Sequence, residues 1–438
     1  MDGYRRHNPS PIHQGRFLIV DLRNTPTKVI LVGAGVVGRA IMRAHVDAGV
    51  SVWIANIHEA ALASAVQELR LSADSWTVSD VKYLAANLPA VELRARHAIE
   101  SSDVPLVIES IQEKLDVKQS FFQEAEQVFG DDAILCSNTS TLRISRIAEP
   151  LVDPSRFCGM HFFMPVYNRS AVEIIGGDST SKKTLDLASK HVRRLNKSPL
   201  VVGDSPGFVV NRLLSPYLNE AMLMLCRGNR GETIEHAALE YGMPLSPLEL
   251  IDWIGTGTMF DAGRAFWQAF PNRLDPAPML VAMVKKKRAG RARGTGFYDY
   301  ENGQRSSELA PETQELSKNY QRVELLVSEE EIKRVLSILM WIEAAIAHRE
   351  GIVSSHLEFD LAMQGGLGYD PQRSWLEFFD ELGSECLLDT ISRWSEVTKA
   401  MNAPPELRDL LSQMTPTQAL IRYAEVDLAD RDASTSTQ

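Results

Sequence analysis

The stretch "KVILVGAGVVGRA", residues 28–40, joins a short apolar run to a helical pattern through three glycines. Gly33, Gly35 and Gly38 form the pattern G-x-G-x-x-G. In such a turn the first glycine permits the sharp bend, the second lets the backbone approach a pyrophosphate, and the third lets the helix pack on the strand. The helix N-terminus then offers free N–H groups and a dipole that favours phosphate. The stretch predicts a strand–turn–helix unit that binds a dinucleotide. The alternative is the same turn used for structure alone.

The second predicted strand, "VSVWIAN" at residues 50–56, bears on which dinucleotide is bound. An acidic residue normally ends this strand and binds the ribose hydroxyls, but here the strand ends in Asn56. An amide still hydrogen-bonds a diol, although it accepts less strongly than a carboxylate and does not repel a 2′-phosphate. Residues 57–59 contain no arginine that would bind such a phosphate. We therefore predict NAD as the cofactor, with Val36 and Val37 among its contacts.

The composition restricts the class of protein. A length of 438 residues suggests two or three domains, and the hydrophobic content of 44% is typical of a soluble globular chain. The net charge of -11 argues against an extended nucleic-acid interface. No apolar run reaches about 18 residues, so no membrane span is predicted. The four dispersed cysteines indicate reduced thiols in a cytoplasmic protein and no metal site.

One basic run departs from this acidic balance. It comprises Lys285 to Arg288, together with Arg291 and Arg293. We favour a solvated helix end over a phosphate-attracting rim, because such side chains are usually exposed.

The chain changes character near residues 205–207, where "SPG" interrupts it. Before this point, apolar runs at 104–110 and 133–140 alternate with helical patterns. That alternation predicts a doubly wound α/β sheet of the Rossmann type. After this point the pattern is mostly that of amphipathic helices.

The helical part contains a weak internal repeat. Residues 211–229 resemble 333–352, and residues 242–255 resemble 368–383 in the same order. Duplication of one small helical domain explains both matches, whereas chance similarity of amphipathic helices is the alternative. We predict five segments: a polar N-terminal extension at 1–26, an NAD-binding domain at 27–205, a first helical domain at 206–310, a second, degenerate helical repeat at 311–430, and a tail at 431–438.

The stretch "HFFMPVYNRSAVEII", residues 161–175, holds one histidine and one carboxylate in largely apolar surroundings. Burying His161 and Glu173 is costly unless each satisfies the other or chemistry requires them there. A dehydrogenase needs a base that takes the hydroxyl proton as hydride leaves carbon, and a histidine oriented by a carboxylate meets that need. Without the upstream glycine pattern, a satisfied core histidine would be the better interpretation.

Several motifs, in this order, resemble those of the 3-hydroxyacyl-CoA dehydrogenases of fatty-acid β-oxidation: "VGAGVVGRA", "VIESIQEKLDVK", "SNTSTL", "GMHFFMPV", "VEII", "DSPGFVVNRLLSPYLNEA", "PLELIDWIG" and "GTGFYDY". The resemblance covers nearly the full chain from Lys28. The repeated helical part is similar to the dehydrogenase portion of the multifunctional β-oxidation α-subunits. Those proteins carry an enoyl-CoA hydratase domain in front of it, and we expect this chain to lack one.

The resemblance implies roles in catalysis for four residues. His161 would be the general acid/base and Glu173 its orienting partner. Ser140 would hydrogen-bond the substrate 3-oxygen near the nicotinamide, and Asn211 would face the substrate. The plainer alternatives are a loop hydroxyl for Ser140 and a helix cap for Asn211.

The resemblance also implies cofactor contacts at Glu113, Lys118 and Met164, in addition to Ser140. A surface pair of no consequence is the alternative for Glu113 and Lys118. Met164 stands where the common "HFFNP" has asparagine, which predicts an altered cofactor contact rather than lost activity. Phe378 stands at a tyrosine position that looks substrate-facing.

These inferences predict oxidation of L-3-hydroxyacyl-CoA to 3-ketoacyl-CoA with hydride transfer to NAD. One alternative is a dehydrogenase of the same fold that acts on a non-CoA 3-hydroxy acid or sugar acid. The other is a non-catalytic member that binds other β-oxidation enzymes. The CoA phosphates would need cations, for which Lys182, Lys183 and the 285–293 run are candidates.

The expected partners are an acyl-CoA substrate and a separate hydratase or thiolase, with no nucleic acid and no membrane span. In single-repeat relatives, two subunits pair through the helical domain. A second repeat could fill the partner's place, because an apolar face must be buried either way. We therefore expect a monomer or a weak dimer.

Overall fold

The computed structural model describes residues 29–50, 52–56, 58–71, 81–85 and 105–435. The predicted N-terminal extension lies outside the described residues. The last helix reaches Thr435 and so enters the segment that we assigned to a tail.

Among the described residues, eight strands form one sheet: β1 Val29–Val32, β2 Val52–Asn56, β3 Val81–Ala85, β4 Leu106–Glu109, β5 Ile134–Ser137, β6 Phe157–Phe162, β7 Ala171–Gly176 and β8 Ser198–Gly203. They lie in the order β3-β2-β1-β4-β5-β6-β7-β8. Neighbouring strands run parallel except β6 and β7, which are antiparallel. The strand order reverses between β1 and β4, and open α/β sheets bind ligands at the carboxyl ends beside such a reversal.

Helices cover both faces of this sheet: α1 Val36–Asp47, α2 Glu59–Leu71, α3 Leu115–Phe129, α4 Ile144–Ala148 and α5 Lys182–Arg194. The residues of β1 are all buried, as expected for a strand inside a parallel sheet. Val29 and Leu31 pack in the core cluster that includes α1 and α5, whereas Ile30 and Val32 pack in the cluster that includes α3. The predicted Rossmann-type α/β domain is confirmed.

The rest of the chain is mostly helical: α6 Val210–Cys226, α7 Gly231–Tyr241, α8 Pro247–Ile254, α9 Thr256–Ala269, α10 Pro278–Lys285, a hairpin of β9 Tyr300–Glu301 and β10 Gln304–Arg305, α11 Pro311–Asn319, α12 Glu329–Arg349, α13 Glu358–Leu361, a π-helical turn Ala362–Leu367, α14 Trp375–Leu382, α15 Ser384–Trp394, α16 Pro405–Leu411 and α17 Pro416–Thr435. The long helix α12 packs against α6, α7 and α17. Its start is capped by Ser328, whose side chain accepts a hydrogen bond from the Glu331 N–H. The predicted helical C-terminal part is thereby confirmed.

Two pairs of glycines occupy matching places in what we call the first repeat (206–310) and the second repeat (311–430). Gly242 and Gly368 have φ of 110° and 78°, and Gly255 and Gly383 have φ of 91° and 82°. A positive φ at a helix end favours glycine, because a Cβ would crowd the backbone. The shared geometry favours duplication, although the division into two repeats stays a prediction.

The basic run at 285–293 differs from our expectation at one residue. Arg288 is buried and donates hydrogen bonds to the Gly296 carbonyl oxygen and the Asp299 carboxylate, each at 2.6 Å. It also pairs with Glu312 at 3.0 Å. Arg288 is therefore a structural residue of the first repeat, neither solvated nor free to bind phosphate.

Within the described residues, no helix combines the length and the apolar character that crossing a membrane requires.

Candidate active site

The three glycines of the turn between β1 and α1 have different surroundings: two are closely packed and one faces open space. A Cβ on Gly33 would lie 2.2 Å from the Ser110 carbonyl oxygen, and one on Gly38 would lie 1.9 Å from the Gly33 carbonyl oxygen. A Cβ on Gly35 would have no atom within 4 Å. The first and third glycines are therefore required by the fold, and the second leaves room in front of the helix N-terminus. That space and the first N–H groups of α1 suit a pyrophosphate.

The other predicted dinucleotide contacts on this side lie at the same edge of the sheet. Asn56 ends β2, is partly buried, and donates a hydrogen bond from Nδ2 to the His58 carbonyl oxygen at 3.3 Å. Val36 is 67% exposed at the start of α1, and Val37 is partly buried. These side chains, together with the glycine turn, fit an adenosine diphosphate half.

Lys118 forms a buried ion pair at the carboxyl end of β4. Its Nζ lies 2.6 Å from Glu109 Oε1 and 3.4 Å from Glu113 Oε2. The side chains of Lys118 and Glu109 are almost completely buried. The surface-pair alternative for Glu113 and Lys118 is therefore wrong, because α3 turns this lysine inward beneath the strand ends.

Glu113 organises the loop that carries Ser140. Its Oε1 accepts hydrogen bonds from the Thr139 hydroxyl at 2.6 Å, the Ser140 N–H at 3.0 Å and the Thr141 N–H at 3.1 Å. Burial acts to raise the pKa of Glu113, but the nearby Lys118 and the hydrogen bonds from Thr139 and Thr141 outweigh it and lower the pKa. The carboxylate therefore fixes the backbone at Ser140.

His161 and Glu173 face each other across the antiparallel pair β6–β7, where they are direct register partners. His161 Nδ1 lies 2.8 Å from Glu173 Oε2. The other carboxylate oxygen accepts the N–H groups of Val209 and Val210, both at 3.0 Å. These N–H groups begin α6, so one carboxylate joins the histidine to the first helix of the helical part.

The histidine ring is enclosed by aromatic side chains. Its centroid lies 4.9 Å from that of Phe163 and 5.9 Å from that of Phe208, and His161 is 5% exposed. Because Nδ1 is engaged by Glu173, Nε2 is the nitrogen left for a substrate.

Asn211 connects α6 to the Ser140 loop. Its Nδ2 donates to the Ser140 carbonyl oxygen at 3.1 Å. The N-cap of α6 is Val209, so the helix-cap alternative for Asn211 is wrong. The Ser140 backbone is thus held by Glu113 on one side and by Asn211 on the other.

Three further predicted positions differ in their exposure and contacts. Met164 is 44% exposed, three residues beyond His161. Phe378 is 8% exposed and packs on Tyr241 with a centroid separation of 5.1 Å, so it belongs to the core rather than to an open cleft. Lys182 is paired with Asp186 at 2.8 Å on the surface of α5.

Two site residues escaped the sequence reasoning. Glu109 binds Lys118, the Ile111 N–H and the Ser137 hydroxyl, and Asn138 Oδ1 accepts the Phe162 N–H at 2.9 Å. Glu109 ends β4 and Asn138 directly follows β5, so both lie at the carboxyl edge of the sheet. A polar residue directly after a parallel strand was the available signal.

The structure brings most predicted residues into one connected group, which runs from His161 through Glu173, the start of α6, Asn211, the Ser140 loop and Glu113 to Lys118. The glycine turn lies at the same sheet edge, where Ser110 contacts Gly33. A dinucleotide-binding edge next to a histidine–carboxylate pair defines an NAD-dependent dehydrogenase.

Comparison with known proteins specifies that class. Residues 28–205 match the model of the 3-hydroxyacyl-CoA dehydrogenase NAD-binding domain, and residues 207–300 match that of the family's C-terminal domain. The chain belongs to the 3-hydroxyacyl-CoA dehydrogenase family, and its cofactor is NAD.

Curated relatives are longer than this chain. The fatty acid oxidation complex subunit alpha of Idiomarina loihiensis is 32% identical over 391 residues, which cover 87% of this chain and 54% of the relative. The subunit of the same name from Acinetobacter baumannii strain SDF is 30% identical over 390 residues, with the same coverage. The chain thus spans about half the length of the curated relatives it matches.

Solved structures agree with the fold. The (S)-3-hydroxybutyryl-CoA dehydrogenase of Ralstonia eutropha is 31% identical, with a TM-score of 0.56, and the match covers 64% of this chain and all of that one. The 3-hydroxybutyryl-CoA dehydrogenase of Escherichia coli K12 is 22% identical, covers 91% of this chain and 99% of its own, and has a TM-score of 0.72. At that identity, the second likeness concerns the fold alone.

Proposed function

We propose that this protein oxidises L-3-hydroxyacyl-CoA to 3-ketoacyl-CoA, with NAD as hydride acceptor. The observation that carries the proposal is the buried His161–Glu173 pair, 2.8 Å apart, at the carboxyl edge of the dinucleotide-binding sheet. The names of the relatives, which include 3-hydroxybutyryl-CoA dehydrogenases and fatty acid oxidation subunits, support the substrate class.

His161 is the general acid/base in this proposal. Its Nε2 takes the proton of the 3-hydroxyl, while NAD, held at the glycine turn, would supply the acceptor for the hydride of the same carbon. Glu173 holds the ring through Nδ1 and stabilises the imidazolium that forms. Both oxygens of Glu173 are engaged, by His161 and by two backbone N–H groups, so the carboxylate cannot rotate away.

Ser140 and Asn211 position the substrate. The Ser140 hydroxyl binds the 3-oxygen, and its backbone is already fixed by Glu113 and Asn211. Asn211 lies at the start of α6, where its amide steadies the polarised carbonyl. Preorganised donors of this kind avoid reorganisation during the reaction.

The cofactor contacts are assigned as follows. Gly33, Gly35, Val36, Val37 and Gly38 hold the pyrophosphate, and Asn56 binds the adenosine ribose. Met164, which is exposed beside the histidine, contacts the nicotinamide. Glu113 and Lys118 contact the cofactor from beneath the Ser140 loop.

The test is oxidation of NADH by the purified protein with acetoacetyl-CoA, with NADPH measured alongside. We expect turnover with NADH, and a fall of about 10²–10⁴-fold in kcat for His161→Ala, the size of a general acid/base contribution. His236→Ala is the matched control, because this histidine is 67% exposed on α7. It should leave kcat unchanged.

Other outcomes would redirect the assignment. Faster use of NADPH would mean that Asn56 changes the cofactor preference. Turnover of free 3-oxo acids but not of their CoA esters would indicate a dehydrogenase for another substrate. No turnover with acetoacetyl-CoA or a longer 3-ketoacyl-CoA would favour the non-catalytic alternative.

We also propose that the second repeat takes the place of a partner subunit, so that the protein is a monomer or weak dimer. The support is the buried contact between α6 and α12, in which Arg212 Nε lies 2.6 Å from Glu343 Oε1. Light scattering should give the monomer mass at micromolar concentration. A tight dimer at that concentration would contradict the proposal. Addition of a separate hydratase or thiolase to the same measurement would test the proposed association with either enzyme.

A further inference from the structure

Arg169, in the connection between β6 and β7, is a partly buried cation that has no anionic partner among the described residues. Among the described residues its guanidinium forms one long hydrogen bond, from Nε to the Met164 carbonyl oxygen at 3.5 Å, and no ion pair. Burial lowers the pKa of Arg169 below the ordinary value, and no carboxylate of the described part of the chain opposes that effect. Arginines removed from water normally have such a partner.

A glycine of the second repeat leaves room for this guanidinium. Gly368 follows the π-helical turn, and a Cβ at this position would lie 1.7 Å from Arg169 Nη1. The absence of a side chain at 368 therefore makes the room that the guanidinium occupies. Lys197 lies behind the same connection, where its Nζ donates to the carbonyl oxygens of Val166 and Arg169 at 2.6 Å each. This part of the site is positive.

Arg169 lies close to the reacting histidine. The Met164 carbonyl that it contacts is three residues from His161, which is about 10 Å of extended chain at most. A second path joins them, since Phe163 packs on His161 and its ring would be 3.3 Å from a Cβ on Gly366, in the turn before Gly368. A short acyl chain spans such a separation.

The position of Arg169 helps to distinguish the possible anions. The dinucleotide phosphates belong at the glycine turn after β1, and β6 is three strand spacings from β1, about 14 Å at the usual interstrand distance. The CoA phosphates lie beyond the pantetheine arm, far from the reacting carbon. The acyl chain starts near the reacting carbon and is short enough to end at Arg169. Its far end is therefore the remaining part of the substrate that can place an anion there.

We propose that Arg169 binds a carboxylate at the end of the acyl chain, so that the preferred substrates are short 3-hydroxyacyl-CoA esters of dicarboxylic acids. This inference rests on the proposed function and adds the substrate class to it. Arg169 acts as a specificity residue, and the glycine at 368 keeps its guanidinium in place.

The test compares two 3-oxo six-carbon CoA esters, one ending in a methyl group and one in a carboxylate, as oxidants of NADH. We expect wild-type kcat/KM to be about tenfold to a hundredfold higher for the carboxylate ester, the size of charge-assisted hydrogen bonds to one anion. Arg169→Met should abolish that preference by lowering kcat/KM for the carboxylate ester. It should leave kcat/KM for the methyl-ended ester unchanged. Arg373→Met is the matched control, because this arginine lies five residues after Gly368 but packs over the Phe378 ring at 5.4 Å. It should keep the wild-type ratio.

Two results would overturn the inference: equal kcat/KM for both esters in the wild type, or an equal loss for both in Arg169→Met. The second would mean that the guanidinium binds a group common to both esters or to NAD, or supports the fold, and thermal unfolding of the variant separates the last case. If neither ester is reduced, the proposed function fails. Calorimetric binding of the saturated six-carbon esters with the same two ends then decides the inference, which is overturned by equal or absent binding.

Discussion

The two helical repeats keep the same order of helix, glycine turn and helix, but they serve the site differently. The first repeat contacts the His161–Glu173 pair directly, through the N–H groups of Val209 and Val210 on Glu173. The second repeat reaches it indirectly, through the glycine-rich turn that packs on Phe163, Val210 and Arg169. The first repeat therefore meets β7 with the start of a helix, whereas the second repeat packs on β7 through its glycine-rich turn.

The largest expected effect tests the direct contact of the first repeat. Glu173→Gln should lower kcat by about 10²-fold or more, since the amide no longer stabilises an imidazolium. It should also lower the melting temperature, because its NH2 group is a poor partner for the N–H groups of α6. Steady-state kinetics and calorimetry measure the two effects.

The matched control for this prediction is Glu358→Gln in the second repeat. Glu358 also accepts two backbone N–H groups, those of Ser354 and Ser355, at 2.8 and 3.2 Å, but on the exposed start of α13. Its kcat should equal that of the wild type. A comparable loss in both variants would show that helix stability, rather than the histidine partner, sets the rate.

The next effect separates two arginines at matching positions of α6 and α12. Arg212 is buried between Glu343 at 2.6 Å and Glu350 at 2.5 Å, whereas Arg334 is one-third exposed beside Glu330. Arg212→Met should cost about 3 kcal/mol of unfolding free energy, because the buried Glu343 carboxylate then keeps only Arg273 as its partner among the described residues. Arg334→Met should cost about 0.5 kcal/mol at most. Urea denaturation gives both values, and similar costs would contradict the asymmetry.

A smaller difference is expected at the aspartates of α8 and α14. Asp252 is buried and accepts the N–H groups of Phe297 and Tyr298 at 2.7 and 3.0 Å, whereas Asp380 is exposed and accepts the Thr417 N–H at 2.8 Å. Asp252→Asn should cost about 1–3 kcal/mol, since buried donors are left without partners. Asp380→Asn should cost about 0.5 kcal/mol. Equal costs would mean that the buried contacts add nothing.

The Asp252 variant also carries a pH dependence. Burial, partly offset by hydrogen bonds from Tyr298 and Phe297, raises the pKa of Asp252 to about 6 from 3.8. The folded state therefore holds this proton between about pH 4 and 6 while the unfolded state does not, so this group's contribution to stability falls as pH rises through that window. The stability of the wild type relative to Asp252→Asn should be greater at pH 4.5 than at pH 7.5. An unchanged difference would exclude a raised pKa.

The smallest difference is expected between the glycines that end α7 and the π-helical turn. Gly242→Ala would place a Cβ 2.8 Å from the buried Tyr369 ring, at a φ of 110°. It should cost about 2 kcal/mol, combining the left-handed conformation with displacement of the ring. Gly368→Ala meets only the end of the Arg169 side chain and should cost about 1 kcal/mol. Thermal unfolding ranks the two costs. The reverse order would mean that the Arg169 side chain is displaced less easily than the Tyr369 ring.

Sequence patterns were enough to predict the local parts of this site. The glycine spacing predicted the turn after β1, and the apolar runs predicted the parallel strands. The histidine and glutamate were recognised as partners because burial of either alone is costly. Each of these inferences depends on residues that act within one strand, one turn or one hairpin.

The burial of Lys118 was not predictable in this way. The sequence around Lys118 is typical of a helix surface. The burial of this lysine depends on the rotation of α3 against β4, which places Lys118 beside Glu109. Asn211 was assigned a substrate contact or a cap, yet its bond to the Ser140 loop depends on the approach of α6 to β7. Contacts between distant segments are set by packing rather than by spacing.

By itself the sequence determined an α/β dinucleotide-binding domain, a helical C-terminal part and a histidine–carboxylate pair. Those features follow from periodicity, glycine geometry and the cost of buried charge. Only the tertiary structure decided that Glu173 receives the start of α6, that Glu113 fixes the Ser140 loop, and that Arg169 lies against Gly368. Each joins segments 27 to 199 residues apart, and their proximity results from the joint burial of apolar faces.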